Sequence, residues 1–201
     1  FDPKVVKYLE HYKDTARGRR LLKAYAQKSG RYIDSIRRVL KAQGLPQDLC
    51  WLAMIESAYD AQIHSHAGAA GLWQFMPATG RIYGLTVNRR IDERLDPERS
   101  TVAAARHLSD LYKRFGSWEL AFGAYNMGYG GMLAAIRRFN TNDYWELTRL
   151  EAGLPYETAL YVPKIMALAI AMNNCKVFGC DGVDADASLP FGNDGADKLG
   201  V

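Results

Sequence analysis

Apolar side chains recur at a helical period along most of this chain. Between residues 4 and 42, positions such as Tyr32, Ile33, Ile36, Val39 and Leu40 share one face, while Gly18, Gly30 and Gly44 read as interruptions. Gly44-Leu45-Pro46 ends that run and opens another helix, since proline is accommodated in a first helical turn. This next helix carries Leu49, Leu52, Ala53 and Glu56. From Ala58 to Gly71 the period fails, and small residues, histidines and glycines predict an irregular loop. Asp96 and Pro97 supply a cap and a first turn for a long helix to about Phe115, with Val102, Ala105, Leu108, Leu111 and Tyr112 on its inner face. Two helices are expected at 118–125 and 132–139, parted by Gly128, Gly130 and Gly131. A last helix is expected from about Glu157 to Asn174, with Pro163 either kinking it or marking its true first turn. No alternating strand pattern and no internal repeat interrupts this series, so the expectation is an all-α domain.

Composition narrows the class. The 201 residues are 48% hydrophobic, 11% aromatic and 24% charged, a globular balance able to bury a sizeable core. No apolar run approaches the roughly 20 residues a spanning helix needs. The first residue is Phe1, which suggests a removed targeting segment or an excised piece. After Cys180 the chain turns to Gly, Asp, Ala and Ser, too little apolar area to offset ordering entropy, so residues 181–201 are expected to form a flexible acidic tail or linker.

The net charge of +4 divides unevenly. Residues 1–42 hold 12 Lys/Arg against 4 Asp/Glu, the tail holds one Lys against five Asp, and residues 43–180 hold 13 of each. The basic segment 1–42, packed on a domain at 43–180, is therefore the expected contact with an anionic wall or membrane surface. A balanced body argues against a nucleic-acid partner. His64 and His66 straddle Ser65 with no third ligand in sight, so no metal is expected, nor any small-molecule cofactor. Cys175 and Cys180 flank a short turn where a disulfide suits an oxidising compartment, whereas Cys50 reads as a small core hydrophobe.

The sharpest anomaly is Glu56. Ala53, Leu52 and Leu49 lie three, four and seven residues before it, which puts a carboxyl on the apolar stripe of its own helix. Half-burial there would resist ionisation and create a proton donor near neutral pH. The alternative is a helix-end glutamate that reaches solvent or pairs with an arginine.

Glu56-Ser57 is followed by Ser65, Gly71-Leu72-Trp73-Gln74, Ala124-Tyr125-Asn126, and then Glu157, Tyr161 and Pro163. This ordered set resembles the lytic transglycosylases of bacterial cell walls. Over residues 44–164 the resemblance extends to the membrane-bound type, with Trp73 standing where many relatives have methionine. It implies a lysozyme-like fold and a peptidoglycan substrate, cut between N-acetylmuramic acid and N-acetylglucosamine without water. In that chemistry Glu56 first protonates the bridging oxygen, the substrate's acetamido group stabilises the cation at C1, and Glu56 then takes the C6 hydroxyl proton. Glycosidases otherwise need two carboxyls, and neither Asp60, at the end of the helix, nor Asp92, Glu93 and Asp96, which read as loop contacts and a cap, makes an equal claim.

The resemblance also assigns Ser65 to the acid or the acetamido group, Gln74 to a glycan amide, and Tyr125 and Asn126 to the cleft, although Asn can merely cap a helix. Tyr161 would orient the acetamido group and Glu157 would bind glycan or stem peptide. Trp73, Phe75 and Tyr129 are candidates for stacking on sugars, against the ordinary alternative of core packing. A monomer in the periplasm or cell envelope is implied. A goose-type muramidase that hydrolyses the same bond, and a wall-binding protein without activity, are the other readings.

Overall fold

The computed structural model describes residues 1–189, so part of the segment expected to be a tail lies outside the described residues. Helices dominate: α1 (Pro3–Asp14), α2 (Ala16–Ser29), α3 (Ile33–Ala42), α4 (Cys50–Ser57), α5 (Pro77–Ile82), α6 (Pro97–Phe115), α7 (Trp118–Met127), α8 (Tyr129–Phe139), α9 (Tyr144–Leu147), α10 (Tyr156–Asn173) and α11 (Cys175–Phe178). Among the described residues the β-structure is confined to isolated antiparallel bridges, His64 with Ala70, Ala70 with Phe75 and Val87 with Asp92. The expected all-α architecture is met.

At the centre lies α4, whose residues Cys50, Trp51, Leu52, Ala53 and Met54 are buried on every side. Around it α10 packs against α1, α7 and α4, and α6 packs against α7 and α3. Val5, Tyr12 and Leu22 of the basic segment belong to the same buried cluster as Trp51 and Leu168, so that segment helps build the core and keeps its cations outside.

Several details differ from the sequence reading, each for a local reason. The break between the first two helices is at Thr15, in extended backbone, whose hydroxyl accepts from the Gly18 amide. Gly18 itself lies inside α2, where a Cβ would come within 2.0 Å of the His11 carbonyl oxygen, so it permits close approach and interrupts nothing. On α6 the buried face is Ala103, Ala104, Ala105, Leu108 and Leu111, while Tyr112 turns outward and stacks on Trp118. Of the three glycines after α7 only Gly128, at φ 89°, breaks the chain, and α8 starts at Tyr129. Pro163 sits well inside α10.

Among the described part of the expected tail, Asp186 donates its amide to the Gln27 carbonyl and pairs with Arg31 at 2.9 Å, and the Leu189 amide donates to the Arg31 carbonyl. These residues are held by backbone hydrogen bonds, the Arg31 ion pair and side-chain hydrogen bonds from Gln27 and Ser35, a form of anchoring that apolar composition does not register. Cys175 and Cys180 are disulfide-bonded, and Cys50 is buried and reduced.

Candidate active site

Glu56 is the penultimate residue of α4, which ends because Ala58 and Tyr59 are both left-handed, at φ 50° and 58°. That conformation is costly for residues with a Cβ, about 1–2 kcal/mol each, and persists where surrounding contacts over-determine it. Tyr59 is buried and donates its hydroxyl back to the Cys50 carbonyl. Ser57 donates to the Ala53 carbonyl of its own helix and to the Leu72 carbonyl, at 3.0 and 2.9 Å. The dipeptide Glu56-Ser57 thus couples the carboxyl to the loop that carries Gly71-Leu72-Trp73-Gln74.

Arg94 holds that loop in shape. Its buried guanidinium donates to the Gly68 and Phe75 carbonyls at 2.7 and 2.8 Å and makes a two-pronged pair with Asp92. This pairing, together with the hydrogen bonds from Arg94, holds the Asp92 carboxyl below its ordinary range. Gly71, at φ +79°, lies against the Arg94 backbone, where a Cβ would meet a carbonyl oxygen at 1.9 Å. Asp96 caps α6, and Glu93 accepts from the Thr86 amide and pairs with Arg99, so the acids at 92–96 are structural as expected.

The Glu56 carboxyl accepts a short hydrogen bond from the Tyr161 hydroxyl of α10. Burial raises its pKa from an ordinary 4.5 to about 7; the Tyr161 hydrogen bond opposes this rise and the Glu157 charge, one helical turn before Tyr161, adds to it. Both nearby phenols are pushed well above their ordinary range, by burial first and then by the Glu56 charge, so Tyr125 and Tyr161 stay protonated. The result is a carboxyl that is half neutral near pH 7, faced by two fixed phenols.

Tyr125 links this carboxyl to a cavity of about 660 Å³, whose walls include Gln74, Phe75, Tyr83, His107, Tyr125 and Asn126 but not Glu56 itself. The Tyr125 hydroxyl donates to the Trp73 carbonyl at 2.7 Å. Asn126 has its amide oxygen pinned by the Thr158 hydroxyl at 2.8 Å, so it faces the cavity with a fixed orientation and does not merely cap α7. Gln74, left-handed at φ 47°, gives its amide nitrogen to the Gly71 carbonyl.

One of the stacking candidates lies in the core and not on the cavity. Trp73 has no exposed surface and its indole donates to the Thr101 hydroxyl, so it is a core residue with no face for a sugar. Ser65 accepts from the Ala69 amide and exchanges backbone contacts with the same turn, so its hydroxyl stabilises the loop. Tyr161 meets the acid directly. Glu157 is exposed on the first turn of α10. Tyr129, 40% exposed, borders the cavity. His64 and His66 are exposed, and among the described residues no group of three or more His, Cys, Asp or Glu is arranged to hold a metal.

His107 is among the wall residues that the sequence reading did not single out. His107 stacks on Tyr83 at 4.6 Å between centroids and lies 5.0 Å from Tyr125, and burial lowers its pKa to about 4. It is therefore neutral. Its position one residue before Leu108 and four before Leu111, on the same stripe, was the available signal.

Residues 35–148 match the family described as the transglycosylase SLT domain. The chain is 41% identical over 145 residues to membrane-bound lytic murein transglycosylase D of Escherichia coli, covering 70% of this chain and 31% of that protein. It is 27% identical to the soluble lytic murein transglycosylase of the same organism, over 68% of this chain and 22% of that one. The crystal structure of the 70 kDa soluble lytic transglycosylase of Escherichia coli superimposes with a TM-score of 0.59 at 23% identity, over 78% of this chain and 26% of that one, which assigns the lysozyme-like all-α fold. The chain thus spans a third or less of the length of these relatives.

Proposed function

Because this chain belongs to the transglycosylase SLT family, matched over residues 35–148, we propose that it is a peptidoglycan lytic transglycosylase using Glu56 as its single acid and base. The observation that carries this reading is the Glu56 carboxyl, raised to about 7 and hydrogen-bonded by Tyr161 beside an open cavity. A neutral carboxyl donates its proton to the glycosidic oxygen as the bond from C1 of N-acetylmuramic acid breaks, a contribution of roughly 10²–10⁴-fold. The substrate's acetamido oxygen stabilises the cation at C1. The carboxylate then accepts the C6 hydroxyl proton while that oxygen closes on C1, giving a 1,6-anhydro end and restoring the acid.

Tyr161 suits both half-reactions, since its hydroxyl stabilises the carboxylate without removing the proton from the neutral form. Tyr125, Gln74 and Asn126 are proposed to bind the glycan along the cavity. The loop held by Ser65 and the charge of Glu157 are proposed to shape and tune the site. Digestion of purified wall followed by mass spectrometry tests the reaction: anhydro-muramyl products, lighter by one water than reducing-end products, are expected. Reducing-end products alone would identify a hydrolase, and no products a wall-binding protein.

A cell-envelope location fits the bonded Cys175–Cys180 pair. Contact with an anionic wall or membrane surface is assigned to α2, which exposes Arg17, Arg19, Arg20, Lys23 and Lys28 and contains no acid. Deleting residues 1–18 would remove the buried Val5 and Tyr12 and confuse binding with folding. The triple substitution R17E/R20E/K23E avoids this. It should weaken wall co-sedimentation and flatten its salt dependence, and an unaltered salt slope would exclude α2 as the contact.

A further inference from the structure

The far wall of the cavity is formed by the end of α6 and the start of α8. Gln74, Thr79, Tyr125 and Asn126 supply neutral polar groups, and Phe75, Ile82, Leu111 and Tyr129 supply apolar surface. His107 is neutral. One formal charge remains on the lining, the guanidinium of Arg114, held 5.1 Å from the centre of the Tyr129 ring. Phe115 supports the same ring at 5.5 Å. Among the described residues no carboxylate is ion-paired with Arg114. Asp110, one turn earlier on α6, lines the adjoining hollow and acts on the Tyr83 hydroxyl in the sense opposite to Arg114. Stacking fixes the plane of a guanidinium and leaves its N–H fork available at the edge, the geometry that recognises a carboxylate through two parallel hydrogen bonds.

We infer that Arg114 makes this cleft selective for glycan strands bearing carboxylates, binding one such group of the substrate at the end of the cavity beyond Tyr125. The inference rests on the proposed peptidoglycan substrate and adds the charge that substrate must carry. In peptidoglycan a carboxylate comes from the stem peptide, or from the lactyl group of muramic acid once the peptide is removed. The two share one chemistry, and different substrates separate them.

The test compares the intact protein with Arg114→Gln and Arg114→Lys on three preparations of soluble glycan strands. One carries stem peptides, one has been stripped by an amidase so that only lactyl carboxylates remain, and one has every carboxylate blocked as a methylamide. A charge-assisted bidentate contact sets the expected scale at about tenfold in kcat/KM. Arg114→Gln should lose about this factor on peptide-bearing strands, and Arg114→Lys should lose less because it keeps the charge without the fork. On blocked strands the variants and the intact protein should be equal. Persistence of the loss on stripped strands assigns the lactyl group, and its disappearance there assigns the stem peptide. An equal loss on blocked strands, or no loss on peptide-bearing ones, overturns the inference. Failure of the intact protein to release anhydro-muramyl ends would instead overturn the proposed reaction.

Discussion

Glu56→Gln is expected to lower turnover on cell-wall glycan by about 10²–10⁴-fold while sacculus binding is retained, because the substitution removes the proposed proton donor and keeps the shape. The same variant should be more stable than the parent above neutral pH. Glu56 has its pKa raised from 4.5 unfolded to about 7 folded, so its ionisation opposes folding progressively as pH rises through that window. Glutamine carries no such penalty. Each pKa unit corresponds to about 1.4 kcal/mol, and partial exposure of the residue makes a gain of about 1–3 kcal/mol the appropriate expectation at pH 8.

Neighbouring variants give the sign a second check. In the proposed reaction Glu56 must be protonated to act, so kcat should fall as pH rises past about 7. Removing the Glu157 charge lowers the Glu56 pKa, so Glu157→Gln should move this alkaline limb to lower pH. Tyr161→Phe deletes a hydrogen bond to the carboxylate and should move the limb upward. Limbs that stay in place in both variants would show that another group controls the profile. A Glu56→Gln protein with parental turnover would remove Glu56 from the chemistry altogether.

Arg94→Met should produce the largest loss of stability, about 3–5 kcal/mol, the range for breaking a buried ion pair from one side. Asp92 loses its partner, and the Gly68 and Phe75 carbonyls lose their donor. Thermal unfolding measures the loss, and amide exchange across the loop between α4 and α5 locates it. Protection confined to the parental pattern, or an unchanged Tm, would refute the role of Arg94 as the clamp of this loop. The Asp92 carboxyl is held below its ordinary range, so its contribution is present at neutral pH and disappears as pH falls through its lowered folded value. Arg94→Met should therefore flatten the acid side of the stability profile.

The long helices were legible in the sequence because burial on one face leaves a period that any reader can count. Asp96 and Pro97 marked the start of α6, since capping is local chemistry. Short helices such as α5, α9 and α11 span too few residues to show a period. Glu56 was legible as a polar residue on an apolar stripe. Trp73 misled because a tryptophan beside a binding motif looks the same in sequence whether its indole meets a sugar or Thr101. The clamp of Arg94 on Gly68 and Phe75, and the approach of Tyr161 to Glu56, join residues far apart in the chain and leave no local pattern.

The hydrogen bond between Tyr161 and Glu56 crosses 105 positions. A ribosome releases α4 long before α10, so a nascent chain can complete the helix bearing its acid while the phenol that steadies the carboxylate is still unmade. Closing so long a loop costs more chain entropy than any contact within a single helix. The proposed acid chemistry is thus tied to the docking of the last long helix, and a fragment ending before Tyr156 lacks the hydroxyl that bonds the Glu56 carboxyl.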